Sequence, residues 1–330
     1  MRDAEHAPVL VDEALRALAI DPRGTYVDAT FGRGGHTLRI LDAIGRGGRV
    51  IALDRDPAAF SSARAIADPR FTFRHAWFST LPQVLAELGV AGLSGVLLDL
   101  GVSSPQIDDA TRGFSYRFEG PLDMRMDTTR GDTGAEFVAR ASVAELTRVL
   151  RDYGEERFAQ SIARAIEKAR AVRPIGTTRE LAKVVAQAVG TRTRGDWRQD
   201  PAARTFQALR IVVNRELDEV SIALPRIVPL LRERGRLCVI SFHSLEDRIV
   251  KRFFAFASKP YGGDPRLARI PLADDALPGA PLAVVGRAAK PSSDEQAANP
   301  RSRSAVLRVA ERTPHALPAD WPRGWPEALG

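Results

Sequence analysis

The sequence predicts an α/β fold, a mostly parallel sheet flanked by helices and interrupted by an all-helical domain. Two short apolar runs end in an acid, Tyr26-Val27-Asp28 and Val50-Ile51-Ala52-Leu53-Asp54, and three glycines follow the first, at Gly32, Gly34 and Gly35. Strand-like and helix-like stretches alternate from residue 9 to residue 100, as in β-α units whose strands lie parallel. The next comparable strand begins at Arg236, so the interval Gly101 to Gly235 spans 135 residues. A crossover between parallel strands needs only about a dozen. A structureless loop of that length does not suit a compact domain, so a folded insert is expected.

In chain order, Val9–Ala19 has helical spacing. Strands are expected at 25–30, 49–54, 71–75 and 95–100, with helices at Asp56–Ala67 and Leu81–Leu88. The insert reads as helical. Ser142-Val143-Ala144-Glu145 and Thr177-Thr178-Arg179-Glu180 have the form of capping boxes, in which a hydroxyl and a carboxylate satisfy the free N–H groups of a helix start. Phe158, Ile162, Ala165, Ile166 and Ala169 recur at helical spacing, as do Leu181, Val184, Val185, Ala188 and Val189. The second stripe is read as core, not as a binding face. A single helix from about Ala203 to Ala223 would return the chain to the sheet. The expected division is therefore 1–110 with 208–330 for the sheet domain and 111–207 for the helical insert. A fifth strand is expected at 236–241, then a helix capped by Ser244 with Ile249, Val250, Phe253 and Phe254 inward. Residues 258–300 read as a long loop with some short strand, 305–310 as a last strand, and the proline-rich tail from Thr313 as irregular.

The glycine turn carries the first chemical reading. Glycines after a strand let the backbone turn sharply and approach a ligand closely. Asp54 lies 20 residues past Gly34, where an acid can accept hydrogen bonds from the ribose of a nucleoside lying over the turn. A plain strand-to-helix turn would also account for the glycines. The dinucleotide pattern calls for a third glycine where Thr37 stands, and a carboxylate at Asp28 would repel a pyrophosphate. Beside an amino group and a sulfonium the same carboxylate is favourable, which tilts the reading toward S-adenosylmethionine. An NAD-dependent oxidoreductase is the rival reading.

Composition narrows the classes. A chain of 330 residues, 44% hydrophobic and 27% charged, is that of a globular protein. No apolar run approaches the ~18 residues of a membrane span. The charged start Met1-Arg2-Asp3-Ala4-Glu5-His6 lacks the apolar core of a secretory signal, so a cytoplasmic protein is expected. A single cysteine, Cys238, excludes a disulfide framework and a cysteine-rich zinc site. His36 and His243 are not at metal-ligand spacing, so no metal is expected. The net charge of +7, carried mostly by arginine, suits a nucleic-acid partner, although a GC-rich genome would give the same bias.

The run ending in Asp99 leads into Leu100-Gly101-Val102-Ser103-Ser104-Pro105-Gln106. Ligands of open α/β sheets lie outside the carboxyl ends of the strands. This segment offers a carboxylate, two hydroxyls and an amide there; a simple Ser-Ser-Pro turn is the plainer reading. Trp77 and Phe78 close the third strand, where an aromatic ring can pack on adenine or on the core.

Taken together, the segments Asp28–His36, Ala52–Pro57, Asp99–Gln106, Gly113-Phe114-Ser115, Asp123–Asp127, Ile240–Asp247 and Asn299–Ser304 resemble the bacterial ribosomal small-subunit RNA (cytosine-N4)-methyltransferases, the RsmH/MraW family. The resemblance runs from Glu5 to about Arg312. It implies a class I S-adenosylmethionine-dependent methyltransferase fold with an inserted helical domain. It implies cofactor contacts at Gly34, Gly35, His36, Asp54, Phe78, Asp99 and Gln106; the carboxylate charge and the glycine turn described above add Asp28 and Gly32 to the expected cofactor site. The implied substrate is a cytidine in the decoding region of 16S rRNA, reached as free RNA or in the small ribosomal subunit, with no membrane partner and with a homodimer left open. Asp99, Ser103 and Ser104 are the expected catalytic residues, because an acceptor near the amine would localise its lone pair. Arg112, Arg117, Arg125 and Arg130, just after this loop, are the expected RNA contacts. A non-catalytic RNA-binding assembly factor on the same fold is the second rival, against which the acids Asp28, Asp54 and Asp99 argue.

Overall fold

Short apolar strands alternating with amphipathic helices pair in parallel, because each helix carries the chain back across the sheet before the next strand begins. A computed structural model describes residues 8–190, 200, 202–259 and 279–326. It divides the chain into two compact units, one of Met1–Gly101 with Leu217–Gly330 and one of Val102–Glu216.

The first unit holds a seven-stranded sheet. Its strands are β1 (Thr25–Asp28), β2 (Arg49–Asp54), β3 (Phe71–His75), β4 (Leu93–Asp99), β5 (Leu231–Ser241), β6 (Leu282–Val284) and β7 (Val306–Arg312). Their order is β3-β2-β1-β4-β5-β7-β6. The pairs β3-β2, β2-β1, β1-β4 and β4-β5 are parallel, and β7 is antiparallel to both β5 and β6. The chain builds outward from β1 in one direction through β3, then restarts at β4 on the other side. The switch point is the crevice between β1 and β4.

Helix α1 (Val11–Leu18) precedes β1, and α2 (Gly35–Ala43), α3 (Ala59–Arg64) and α4 (Leu81–Glu87) connect the first four strands. Leu10, Leu18, Ile40 and Leu41 form one core cluster with Tyr26, Val50, Leu97, Cys238, Ile240 and Leu307. Val50 to Leu53 are all fully buried, the continuous apolar run of a strand covered on both faces. Cys238 is part of this core; burial pushes its thiol up to about 12, so it is a packing residue and not a nucleophile.

The second unit is helical: α5 (Ser104–Asp108), α6 (Gly134–Arg140), α7 (Val143–Gly154), α8 (Ala159–Val172), α9 (Thr178–Val189) and α10 (Ala202–Asn214). Both expected caps form. The Ser142 hydroxyl accepts from Glu145 N at 3.1 Å, and Thr177 with Glu180 makes the full reciprocal box. Leu146, Leu150, Ile162, Ile166, Leu181, Val185, Phe206 and Leu209 fill one core, so the apolar stripe of α9 is core. The unit runs from Val102 to Glu216, against the 111–207 expected. One reason is Asn214, at the end of α10. Its side chain accepts from Met126 N at 2.7 Å and donates to the carbonyls of Met124 and Arg210 at 2.7 and 2.9 Å. That ties the whole of α10 to the loop before α6.

The single helix expected over 203–223 is two. Arg215 takes a left-handed conformation, φ 49°, which ends α10 before α11 (Glu216–Ile227) begins. After β5, α12 (Ser244–Ala257) is capped by His243 rather than Ser244. The His243 ring accepts from Glu246 N, and the Glu246 carboxylate accepts from Phe242 N at 2.9 Å. Of the long loop expected over 258–300, residues 260–278 lie outside the described residues, and 282–284 form the short edge strand β6. α13 (Ser293–Ala298) precedes β7.

The tail after Thr313 contains no strand or α-helix among its described residues, but it is docked. Trp321 and Trp325 donate their indole N–H groups to the carbonyls of Pro225 and Ser221 on α11, both at 2.9 Å. Their rings pack on Phe253 and Phe256 of α12, with centroids 5.1–6.3 Å apart. Phe253 is fully buried at this junction. Phe253→Ala is expected to destabilise the protein by about 3–5 kcal/mol, read as a lower midpoint in urea unfolding; an unchanged midpoint would show that the junction contributes nothing. Among the described residues no helix is long and apolar enough to cross a membrane.

Candidate active site

Parallel strands end together, so the acids that close β1, β2 and β4 meet along one edge of the sheet. Asp28 sits in register with Ala52 and Leu97, Asp54 with His75, and Asp99 with Ile240. β1 leaves its ladder at Asp28, two residues earlier than expected. There the backbone splays between its neighbours, Ala29 N donating to Leu97 O and Phe31 N to Leu53 O. The glycine turn then starts. Gly32 and Gly34 have φ of 55° and 83°, where a side chain is strained. A Cβ on Gly34 would lie 2.8 Å from the Phe31 ring, whereas a Cβ on Gly32 would meet no atom within 4 Å. Gly34 is thus fixed by packing, and Gly32 faces open space suited to a ligand.

Each acid has a distinct environment. Asp28 is fully buried; its carboxylate accepts from the Thr37 hydroxyl at 2.7 Å and from Thr30 N at 3.2 Å. Burial raises its pKa. Asp54 accepts from Gly32 N at 2.6 Å and from Asp56 N at 2.8 Å. It locks the glycine turn to the end of β2, and burial pushes it up to about 6 despite those bonds. Asp99 is held at its backbone, where its N–H donates to the Thr30 hydroxyl at 2.6 Å. Its Oδ2 lies 3.4 Å from His36 Nε2, and His36 is 5% exposed. Among the described residues, neither Asp99 Oδ1 nor His36 Nε2 has a hydrogen-bond partner. A buried polar atom left unpaired costs about 1–3 kcal/mol, so two of them side by side mark a place prepared for polar groups of a ligand.

Phe78 begins a 3-10 turn after β3 and is 8% exposed. The turn is pinned by Ser79, whose hydroxyl donates to Glu219 at 2.9 Å. Trp77 carries the Arg55 guanidinium over its ring at 5.0 Å, so its face is partly taken. Thr30, Thr37 and Glu219 are the residues that sequence reading missed as supports. Only Thr37 left a signal, by standing where a dinucleotide site has its third glycine.

Ser103, Ser104 and Gln106 belong to the second unit. Ser103 caps α5, and the Gln106 amide oxygen accepts from Ser103 N at 2.9 Å. The sequence Ser-Ser-Pro-Gln is therefore a capping box with proline inside the first turn. Of the four arginines expected to contact RNA, two are partly buried and held within their unit. Arg112 donates to the carbonyls of Arg125 and Met126 at 2.9 and 3.1 Å and covers the Phe114 ring. Arg125 makes a two-point pair with Asp123, both bonds at 2.8 Å. Arg117 and Arg130 are exposed, Arg130 while paired with Asp127 at 2.6 Å.

The description "MraW methylase family" matches residues 3–313 of this chain. The chain belongs to the MraW methylase family. Among its relatives, the Ribosomal RNA small subunit methyltransferase H of Azoarcus sp. (strain BH72) is 58% identical over 93% of this chain and 97% of its own length. The protein of that name from Methylobacillus flagellatus is 57% identical over 94% and 95%. The one from Neisseria meningitidis serogroup C is 55% identical over 95% and 94%. The fold of this MraW methylase is that of a class I methyltransferase, and S-adenosylmethionine is its methyl donor. The residues present fit that group. Gly32 opens onto free space, Asp54 closes β2 on one side of β1, where folds of this kind hold a ribose, and the unpaired polar atoms belong to His36 on α2 and to Asp99, which closes β4 on the other side of β1.

Proposed function

We propose that the protein methylates the exocyclic N4 of a cytidine in the decoding region of 16S rRNA, acting on the RNA or on the small ribosomal subunit in the cytoplasm. The observation that carries the reading is Asp99 Oδ1, a buried acceptor without a partner at the carboxyl end of β4, beside the switch point of the sheet. Bound S-adenosylmethionine supplies an already activated methyl group. The protein's residues must then position the acceptor. The cytosine amine is a weak nucleophile because its lone pair is spread into the ring. An acceptor on one amine hydrogen localises that pair, and Asp99 is such an acceptor. Holding the amine in line at about 3–3.5 Å from the methyl supplies most of the remaining rate. No strong base is required, since the proton leaves after transfer. The target base must be unstacked to reach this edge, as RNA loops and distorted helices permit.

In this reading Asp28, Gly32, Gly34, Gly35, His36, Asp54, Phe78, Asp99 and Gln106 hold the cofactor, and Ser103 and Ser104 assist at the acceptor. The helical unit recognises RNA, with Arg117 and Arg130 as its phosphate contacts. Replacing both by alanine is expected to weaken RNA binding and lower its salt slope by about 1 per arginine, with cofactor affinity unchanged. Filter binding across a salt series checks this; an unchanged slope removes both residues from the interface. Arg112 and Arg125 are unsuitable for the same test, because their loss would loosen the unit. The test of the function itself is mass spectrometry of small-subunit RNA from cells with and without the active protein. Loss of one methyl group on a cytosine N4 is expected; an RNA unchanged in its cytosines would overturn the assignment.

A further inference from the structure

Helix α12 leaves the carboxyl end of β5, the strand beside β4, where Asp99 sits in register with Ile240. Its inner face is Ile249, Val250, Phe253 and Phe254, all buried. From 244 to 259 the exposed positions are Ser244, Arg248, Lys251, Arg252, Ala255 and Lys259. They recur at helical spacing and so form one stripe, in which every charge is positive. From Arg248 to Lys259 the stripe is about 16 Å long. The two acids of the helix are turned to other uses. Glu246 is buried and caps the helix start, and Asp247 makes a two-point pair with Arg308 at 2.7 and 2.9 Å. Among the described residues, Lys251, Arg252 and Lys259 have no ion pair.

Opposite charges three or four residues apart support a surface helix, and like charges at those spacings weaken it. Arg248 stands three residues from Lys251 and four from Arg252. The one-signed stripe is therefore a cost to the free protein that a polyanion relieves. Resting on the function proposed above, we propose that the exposed face of α12 is an RNA-docking surface, on which Arg248, Lys251, Arg252 and Lys259 hold phosphates of the strand that carries the target base. The sheet unit then has phosphate contacts of its own, and they start at the sheet edge where Asp99 lies. A lipid surface does not suit this helix. Helices that lie on membranes sink a free apolar face, whereas the apolar face of α12 is spent on the core.

The test uses Lys251→Gln, Arg252→Gln and Lys259→Gln together, three exposed positions given a residue that helices accept. In filter binding of small-subunit RNA across a salt series, the slope of log affinity on log salt is expected to fall by about 2, at about 0.7 per phosphate contact. Affinity at about 0.1 M salt is expected to fall roughly 10- to 100-fold with it. Calorimetric binding of S-adenosylhomocysteine is expected to be unchanged, as is single-turnover methylation once RNA saturates. Lys251→Arg with Lys259→Arg, which keeps both charges, is expected to bind RNA as the wild type does. In the wild-type protein, bound small-subunit RNA is expected to shield Lys251 and Lys259 from acetic anhydride, read by peptide mass spectrometry, and polyglutamate is expected to shield them far less. An unchanged salt slope, or lysines acetylated equally with RNA bound, overturns the surface. Shielding by polyglutamate as strong as by RNA overturns RNA as the occupant in favour of an acidic protein. If the triple variant does not fold, acetylation of the wild type decides. A wild-type protein that methylates no cytosine N4 yet shows the slope and the shielding overturns the proposed function and leaves the docking surface in place.

Discussion

Asp99→Ala is expected to slow methyl transfer about 10²–10³-fold at saturating S-adenosylmethionine, the effect of losing one transition-state hydrogen bond in a closed site. RNA affinity is expected to stay close to that of the wild type. Asp99 is at the carboxyl end of a central strand, its backbone fixed by Thr30 and one carboxylate oxygen unpaired. Such an atom contributes little to folding and is available to the reacting amine. Single-turnover methylation, with RNA binding measured separately, reads the two effects apart. A folded Asp99→Ala protein that transfers methyl at the normal rate would remove this strand end from the catalytic face.

Asp54→Ala is expected to weaken S-adenosylmethionine binding roughly 10- to 150-fold, since hydrogen bonds to a charged acceptor are worth about 1.5–3 kcal/mol. The carboxylate also holds Gly32 N, so its loss frees the glycine turn and places the effect toward the upper end. Burial puts the Asp54 carboxyl at about 6 in the ligand-free protein. Ribose hydroxyls donate to the ionised form, so binding favours loss of that proton. Affinity is therefore expected to be full above about pH 6 and to fall as pH drops through 6. In Asp54→Asn that step is expected to vanish. The stability sign runs the other way. The folded-state pKa lies above the ordinary 3.8, so this group disfavours folding while ionised, and the cost is relieved as pH falls from about 6 toward 3.8. Calorimetry from pH 5 to pH 8 checks the binding step; a flat wild-type profile would exclude Asp54 as the ribose acceptor.

The parts of this molecule governed by local rules were readable from its residues. Strands β2 and β3 fall at 49–54 and 71–75 as expected: β2 is the apolar run of a strand covered on both faces, and the partly exposed edge strand β3 alternates Phe71 and Phe73 with polar residues. The caps at Ser142 and Thr177 follow from hydroxyl and carboxylate three residues apart. Long-range pairings left no such mark. β6 is three residues long and is defined only by its antiparallel partner β7. The break at Arg215 depends on a left-handed conformation taken by an arginine, a residue type that does not announce one. At the site, the acids and glycines stood out, while their supports did not. Thr30 reaches Asp99 across 69 residues and Glu219 reaches Ser79 across 140, and no sequence spacing encodes either contact. Arginines after the β4 loop all look alike in sequence. Only packing separates Arg112 and Arg125, held by carbonyls and Asp123, from the exposed Arg117 and Arg130.

The docked tail gives the protein a built-in optical gauge. Of its four tryptophans, Trp321 and Trp325 lie in the tail, their N–H groups bonded to α11 and their rings against Phe253 and Phe256. Trp77 lies instead beneath the Arg55 guanidinium at the end of β3, and Trp197 falls outside the described residues. Peeling the tail away would carry two indoles from an aromatic setting into water and shift their emission to the red without touching the sheet. Detachment of the chain end can therefore be followed in the unlabelled protein, as a fluorescence change separate in amplitude from loss of the core.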